Sequence, residues 1–172
     1  ALNIVQKAVS TKTTLPILKG ILLEAKNDKL KLVGNDLDIG IEHQIDTKII
    51  REGSIVISSR IFVDIIRKLP DSDIEIEVDE QNNVYIRCEH SDFKLVGQPA
   101  IEFPELPYVE EENTYVIDQD LLRNMIRQTI FATSQDETRP ILTGSLIEIS
   151  NNNISMVAID GYRLALRKAF ID

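Results

Sequence analysis

The chain lacks tryptophan and carries one cysteine, two histidines and seven glycines among 172 residues. A single cysteine, Cys88, excludes an intrachain disulfide, and it has no CxxC partner or metal-ligand spacing around it. The few glycines form neither a P-loop nor a GxGxxG turn, so the common phosphate-cradling loops are missing. His43 and His90 lie in or beside acidic strand-like segments without a Ser or Cys nucleophile motif. The carboxylates alternate along strands or sit in turns, the pattern of a solvated surface. These absences argue against an enzyme, a resident cofactor and a metal site. No apolar run approaches the roughly 20 residues of a membrane-spanning helix, and no signal peptide is visible.

What is present is a hydrophobic content of 43%, enough for a sizeable core. The net charge is −9, which taken alone opposes nucleic-acid binding. A lone cysteine fits a reducing compartment. The chain opens with Ala1 directly in a helical pattern, so a truncated N-terminus is expected.

The strongest internal signal is a repeat. Residues 14–36 and 138–160 agree at 10 of 23 positions without a gap, including T-L-P-I-L-K-G against T-R-P-I-L-T-G. Such self-similarity points to duplicated structure. In each heptad Pro breaks the helix pattern, Ile-Leu is expected to enter the core, and Gly to open a strand. Each copy then reads as a hairpin, Ile21–Ala25 with Lys29–Val33 and Leu146–Ile149 with Ile154–Val157, joined by Asn-rich turns. A third strand follows, Asp38–Gln44 and Arg163–Phe170.

A middle copy keeps the pattern without the heptad: strand Ser54–Ile57, helix Ser59–Leu69 capped by Ser58 or Ser59, and strands Ile74–Val78, Val84–Cys88 and Phe93–Val96. The third copy begins with strand Tyr115–Ile117 and helix Gln119–Phe131, capped by Asp118. The two helices match at an offset of 60, with Ile61, Phe62, Ile65 and Ile66 against Leu121, Leu122, Met125 and Ile126 as one apolar face. The unit is therefore β-α-β-β-β, present three times, the first lacking its start. The fold class is α+β. The Pro-rich, acidic stretch 98–113 suggests two domains, 1–112 and 113–172.

Charge is unevenly placed. Helical segments carry Lys7, Lys12, Arg60, Arg67, Lys68, Arg123 and Arg127 against only Asp64, Asp118 and Asp120. The remainder holds 12 basic and 25 acidic residues. Basic helices on acidic sheets would give one cationic surface able to meet phosphates without reading bases.

These residues resemble the β subunit of bacterial DNA polymerase III, the sliding-clamp family. The likeness runs along the whole chain through TLPIL at 14–18, RKLP at 67–70, DFKLVGQPAIEFPEL at 92–106, TRPILTG at 138–144 and DGYRLAL at 160–166. It implies the DNA-clamp fold, with helices lining an inner face and antiparallel sheets outside, and a cytoplasmic, non-catalytic processivity factor. Two full-length subunits would close around double-stranded DNA. Partners would be the polymerase III alpha subunit, the clamp loader and other clamp-binding peptides. By this resemblance the DNA-facing residues are Lys12, Arg60 and the loop with Gln135 and Arg139, followed by Pro140 and Ile141 where familiar members have aromatics. Arg139 can pair with phosphate or with Glu137. Arg67, Lys68, Arg123 and Arg127 join them through helix phase alone. Leu142, Ile159, Gly161, Tyr162, Arg163 and Leu164 would form one side of a partner-peptide pocket. Phe93 and Leu95, on an edge strand, would serve the subunit interface. The competing reading is a β-rich protein-interaction module that never touches nucleic acid.

Overall fold

The computed structural model describes residues 1–10, 13–107 and 114–171. The chain divides into two compact units, Ala1–Tyr108 and Val109–Asp172.

Unit 1 starts with a short helix, α1 (Leu2–Val5), continued as a 3-10 turn over Gln6–Ala8. Strands β1 (Gly20–Lys26), β2 (Lys29–Asn35) and β3 (Gly40–Asp46) follow as an antiparallel meander. Strand β4 (Gly53–Ser58) leads directly into helix α2 (Ser59–Lys68), and β5 (Glu75–Val78), β6 (Asn83–Cys88) and β7 (Ser91–Val96) form a second meander. The middle β-α-β-β-β copy does not keep its strands together. Strand β4 leaves β5–β7 and pairs with β1, giving one sheet in the order β3-β2-β1-β4 and another in the order β5-β6-β7.

Residues alternate along these strands, so one face of each sheet is apolar. Ile21, Leu23, Leu32, Ile55 and Ile57 of the first sheet meet Val84 and Ile86 of the second, with Phe62 and Val63 of α2 and Val5 of α1. Truncating Phe62, 2% exposed, would cost about 3–5 kcal/mol at such a site. The expected face of α2 needs one correction. Ile61 is 48% exposed and Val63 is buried in its place. Two sheets surround the helix, and the buried stripe rotates to meet both.

Unit 2 consists of helix α3 (Gln119–Thr129), a 3-10 turn over Ile130–Ala132, and strands β8 (Leu146–Ser150), β9 (Asn153–Ile159) and β10 (Leu164–Phe170). The order is β10-β9-β8. Met125 packs on Ile154 and Met156, flanked by Leu121 and Leu122, while Ile126 is 40% exposed. Thr129, which the apolar pattern does not include, is buried because its hydroxyl donates to the Met125 carbonyl at 2.9 Å. The expected strand Tyr115–Ile117 does not form. Among the described residues it has no ladder partner, and Val116 is 89% exposed. In unit 1 the corresponding strand, β4, exists by pairing with β1.

Capping also separates the two main helices. The Asp118 carboxylate accepts from the Leu121 amide at 2.8 Å. Ser58 occupies the cap position of α2 without a side-chain cap bond, and Ser59 is buried with an unpaired hydroxyl.

The hairpin turns repeat faithfully. Asn27 and Asp28 take φ of 51° and 55°, and Asn151 and Asn152 take 47° and 61°. Two consecutive left-handed residues define the tight hairpin turn that matches strand twist. Asn and Asp tolerate that conformation best after glycine.

Candidate nucleic-acid and peptide interfaces

The cations of unit 1 lie on exposed helix faces. Arg60, Arg67, Lys68 and Lys7 are all exposed. They are not equivalent. Arg67 donates from Nε (3.0 Å) and Nη2 (2.7 Å) to the Asn3 amide oxygen, and from Nη2 to Gln6 at 3.3 Å. Its guanidinium therefore ties α2 to the first helical segment. Arg60 and Lys68 form no hydrogen bond or ion pair with the described residues, and so remain free to meet a phosphate. Lys12 lies outside the described residues.

In unit 2, Arg123 pairs with Asp120 at 2.9 Å on the exposed surface of α3, a weak contact that a phosphate can replace. Arg127 stays exposed, with one bond to the Asn124 side chain at 3.2 Å. The loop after α3 is tied down by short-range bonds. The Ser134 amide donates to the Leu142 carbonyl at 2.8 Å, and the Thr138 hydroxyl and amide donate to Asp136 at 2.7 and 3.0 Å. The Thr138 hydroxyl bond, then its amide, holds the Asp136 carboxyl below its usual range. Gln135 and Arg139 project from this fixed loop without a side-chain partner among the described residues. No ion pair joins Arg139 to Glu137.

Pro140 begins a 3-10 turn over Pro140–Leu142, as Pro16 begins one over Pro16–Lys19. There the two heptads part. Ile17 and Leu18 are buried, whereas Ile141 is 89% exposed and Leu142 is half-buried. The expected core role of this Ile-Leu pair therefore holds in the first copy and fails for Ile141 in the second. Gly20 opens β1, but β8 begins only at Leu146, two residues past Gly144.

The motif Asp160-Gly161-Tyr162-Arg163 is a tight turn rather than the start of the strand. Asp160 Oδ1 accepts from the amides of Tyr162 (2.9 Å) and Arg163 (3.0 Å), and Oδ2 from Arg163 Nε at 2.8 Å. The Tyr162 amide bond is the main cause of a lowered Asp160 pKa. Gly161 takes φ +95°, which an L side chain rarely adopts. The turn leaves Tyr162 fully exposed and starts β10 at Leu164.

Register places Leu164 opposite Ile159, and Leu166, Val157 and Leu146 across the three strands on the same face, away from α3. This face is an apolar surface with Leu164 60% and Leu146 65% exposed. Leu146 and Leu166 were not legible as site residues, because core and surface positions look alike in an alternating pattern. A cleft of about 390 Å³ adjoins the turn, with Phe131, Ser134, Gln135, Asp160, Tyr162 and Arg163 among its walls. It brings the Gln135 loop together with Tyr162 and Arg163, whereas Leu142, Ile159 and Leu164 lie outside it.

Phe93 and Leu95 are half-buried and point inward, packed against the main cluster opposite Ile86 and Val84. Among the described residues β7 has no strand partner on its outer side, and Asp92, Lys94 and Val96 point away from the cluster.

A hairpin meander carrying one helix, repeated with the same turns and the same Pro-led joint, matches two family models in succession. The DNA polymerase III beta subunit N-terminal domain covers residues 1–107, and its central domain covers 116–172. The chain belongs to this family. A beta sliding clamp of Bacillus subtilis is 46% identical over 98% of this chain and 47% of its own length. One from Halalkalibacterium halodurans is 41% identical over 99% of this chain and 47% of its own. The chain thus spans about half the length of the curated relatives it matches. Among solved structures, the B. subtilis DNA polymerase sliding clamp superimposes with a TM-score of 0.95 at 44% identity, covering 99% of this chain and 47% of that one. A Bartonella birtlesii sliding clamp, bound to griselimycin, gives 0.90 at 32% identity, covering 98% and 46%. The fold is that of the sliding clamps. Among the described residues no helix is long and apolar enough to cross a membrane.

Proposed function

We propose that this chain is the first domain and the first half of the second domain of a ring-shaped processivity factor. The whole protein encircles duplex DNA and tethers DNA polymerase III during chromosomal replication. It performs no chemistry itself, acts in the cytoplasm and closes as a homodimer. The division falls near residue 112, a position outside the described residues and between the two segments that match the family's domains.

The observation that carries this reading is the exposure of unpaired cations, Arg60 and Lys68, on a helix whose other face is locked into the sheets. Diffuse phosphate contacts without base readout suit a ring that must slide. Gln135, Arg139 and Arg127 extend the same function in unit 2, with Pro140 and Ile141 next to Arg139, and Lys12 serves it in unit 1. Arg67 contributes mainly by holding the helices together. The surface formed by Leu142, Ile159, Gly161, Tyr162, Arg163 and Leu164 receives clamp-binding peptides of the polymerase III alpha subunit, the clamp loader and other partners. The edge of β7, backed by Phe93 and Leu95, meets the second subunit by strand pairing.

The test uses the full-length protein on nicked circular DNA. Association that survives high salt on the closed circle and is lost on linearisation supports a topological ring. Equal retention on linear DNA, or no association, refutes it.

A further inference from the structure

The exposed side of α2 is not uniformly cationic. Arg60, Asp64 and Lys68 follow one another at four-residue spacing, so they stand in one row along the helix. All of them are exposed. Arg60 and Lys68 are about 12 Å apart along the axis, with the Asp64 carboxylate between them. The row therefore alternates in charge: positive, negative, positive.

The ordinary reasons for an acid in a helix do not account for Asp64. The first turn, where a carboxylate gains from the helix dipole, holds no acid in α2. Asp120 of α3 does lie in its first turn, and it pairs with Arg123 at 2.9 Å. Asp64 makes no ion pair or hydrogen bond among the described residues, although Arg60 and Lys68 are each one turn away. Arg67, three residues on, is turned to Asn3 and Gln6 instead. At the offset of 60 that relates the two helices, α3 carries Asn124 in this place. An uncharged residue of the same shape thus serves the repeated helix equally well.

We propose that Asp64 sets how loosely α2 holds a phosphate backbone. This deepens, and rests on, the reading of the basic helix faces as the DNA-facing surface. Each strand of a duplex presents one charge per roughly 3.4 Å of axis, so the row meets a run of phosphates rather than a single one. Cations alone would settle on that run in one register and resist the step to the next. A carboxylate between them repels the phosphates that Arg60 and Lys68 attract. The two cations are then kept from closing together on adjoining phosphates, and the helix attracts the duplex without gripping it. At a separation of about 7 Å in water, one unit charge alters an equilibrium constant about threefold. The effect fades as salt screens it.

The experiment uses the full-length protein, loaded on long duplex DNA, and follows the diffusion of single rings together with the salt dependence of DNA affinity. Asp64→Asn keeps the side-chain shape and removes the charge. The expected result is diffusion about threefold slower at low salt, a steeper salt dependence of affinity, and convergence with the unaltered protein at high salt. Asp64→Lys should slow diffusion further. Glu80→Gln, in the exposed turn between β5 and β6, changes net charge by the same amount and should diffuse like the unaltered protein. Unchanged or faster diffusion of Asp64→Asn, or equal slowing by Glu80→Gln, overturns the proposal. A lower unfolding temperature of Asp64→Asn with unchanged diffusion assigns the residue to helix stability and overturns it too. Arg60→Ala is the control for the underlying reading. If it weakens DNA binding and Asp64→Asn changes nothing, only this inference falls; if neither alters binding, the DNA-facing reading of α2 falls with it.

Discussion

Asp36 and Asp160 close the same turn 124 residues apart. Asp36 Oδ1 accepts from the amides of Asp38 (3.0 Å) and Ile39 (2.7 Å), as Asp160 Oδ1 accepts from Tyr162 and Arg163. The residue after each aspartate has positive φ, +79° at Leu37 and +95° at Gly161. One copy meets this demand with glycine and the other with a strained leucine that is 61% exposed.

Leu37→Gly should therefore stabilise unit 1. A non-glycine residue held in this region costs about 1–3 kcal/mol, offset by the larger unfolded-state entropy of glycine. A net gain of about 1 kcal/mol is expected, read as a higher urea midpoint at unchanged slope. Gly161→Ala should lower the midpoint for unit 2 by a similar amount. A destabilised Leu37→Gly would show that the leucine side chain outweighs the strain.

The paired glycines of the heptads should respond differently to one substitution. A Cβ at Gly20 would collide with Val56, while one at Gly144 meets nothing within 4 Å. Gly20→Ala should cost about 1–3 kcal/mol through forced displacement of β4. Gly144→Ala should change stability by less than about 0.5 kcal/mol. Thermal unfolding of the two variants tests the contrast.

Arg60 and Arg67, both on α2, should separate in a DNA-binding assay with full-length protein. Arg60→Ala should weaken binding uniformly across sequences and reduce the salt slope by about one, leaving the unfolding temperature unchanged. Arg67→Ala should lower the unfolding temperature as well, because its bonds to Asn3 and Gln6 are lost. Equal melting of both variants would remove the structural role assigned to Arg67.

Three carboxylates should shape acid stability. Asp79 is held low chiefly by the Asn83 side chain, Asp136 by Thr138 and Asp160 by the Tyr162 amide. Their folded-state pKa values lie below the unfolded ones, so their contribution is complete above the ordinary carboxylate range. It is lost as pH falls through the folded-state values. Melting temperature should drop on acidification below about pH 4. Asp160→Asn should flatten that dependence while lowering stability at neutral pH, through loss of the Arg163 pair.

Much of this was legible beforehand because it depends on local chemistry. Alternation drew ten strands close to their observed bounds, Asn and Asp marked the left-handed turns, and Asp118 announced its cap. Ser58 did not cap, because a serine before a helix states only the opportunity. The candidate site was legible as residues but not as surfaces. Nothing in the spelling of Arg67 reveals that Asn3 and Gln6 hold it. Nor does the spacing of Phe93 and Leu95 tell whether they face the core.

The heptads draw the line between the two levels. By itself the sequence determined that one joint is used twice, since Pro starts a 3-10 turn ahead of the first hairpin in both copies. Tertiary structure alone decided what became of each. In unit 1, β4 and the 98–106 segment cover the joint, so Ile17 and Leu18 are core and Gly20 is sterically required. Among the described residues of unit 2, Ile141 is exposed and a Cβ at Gly144 meets nothing within 4 Å. Burial depends on which distant strand arrives, and distant pairing is the one property a local pattern does not carry.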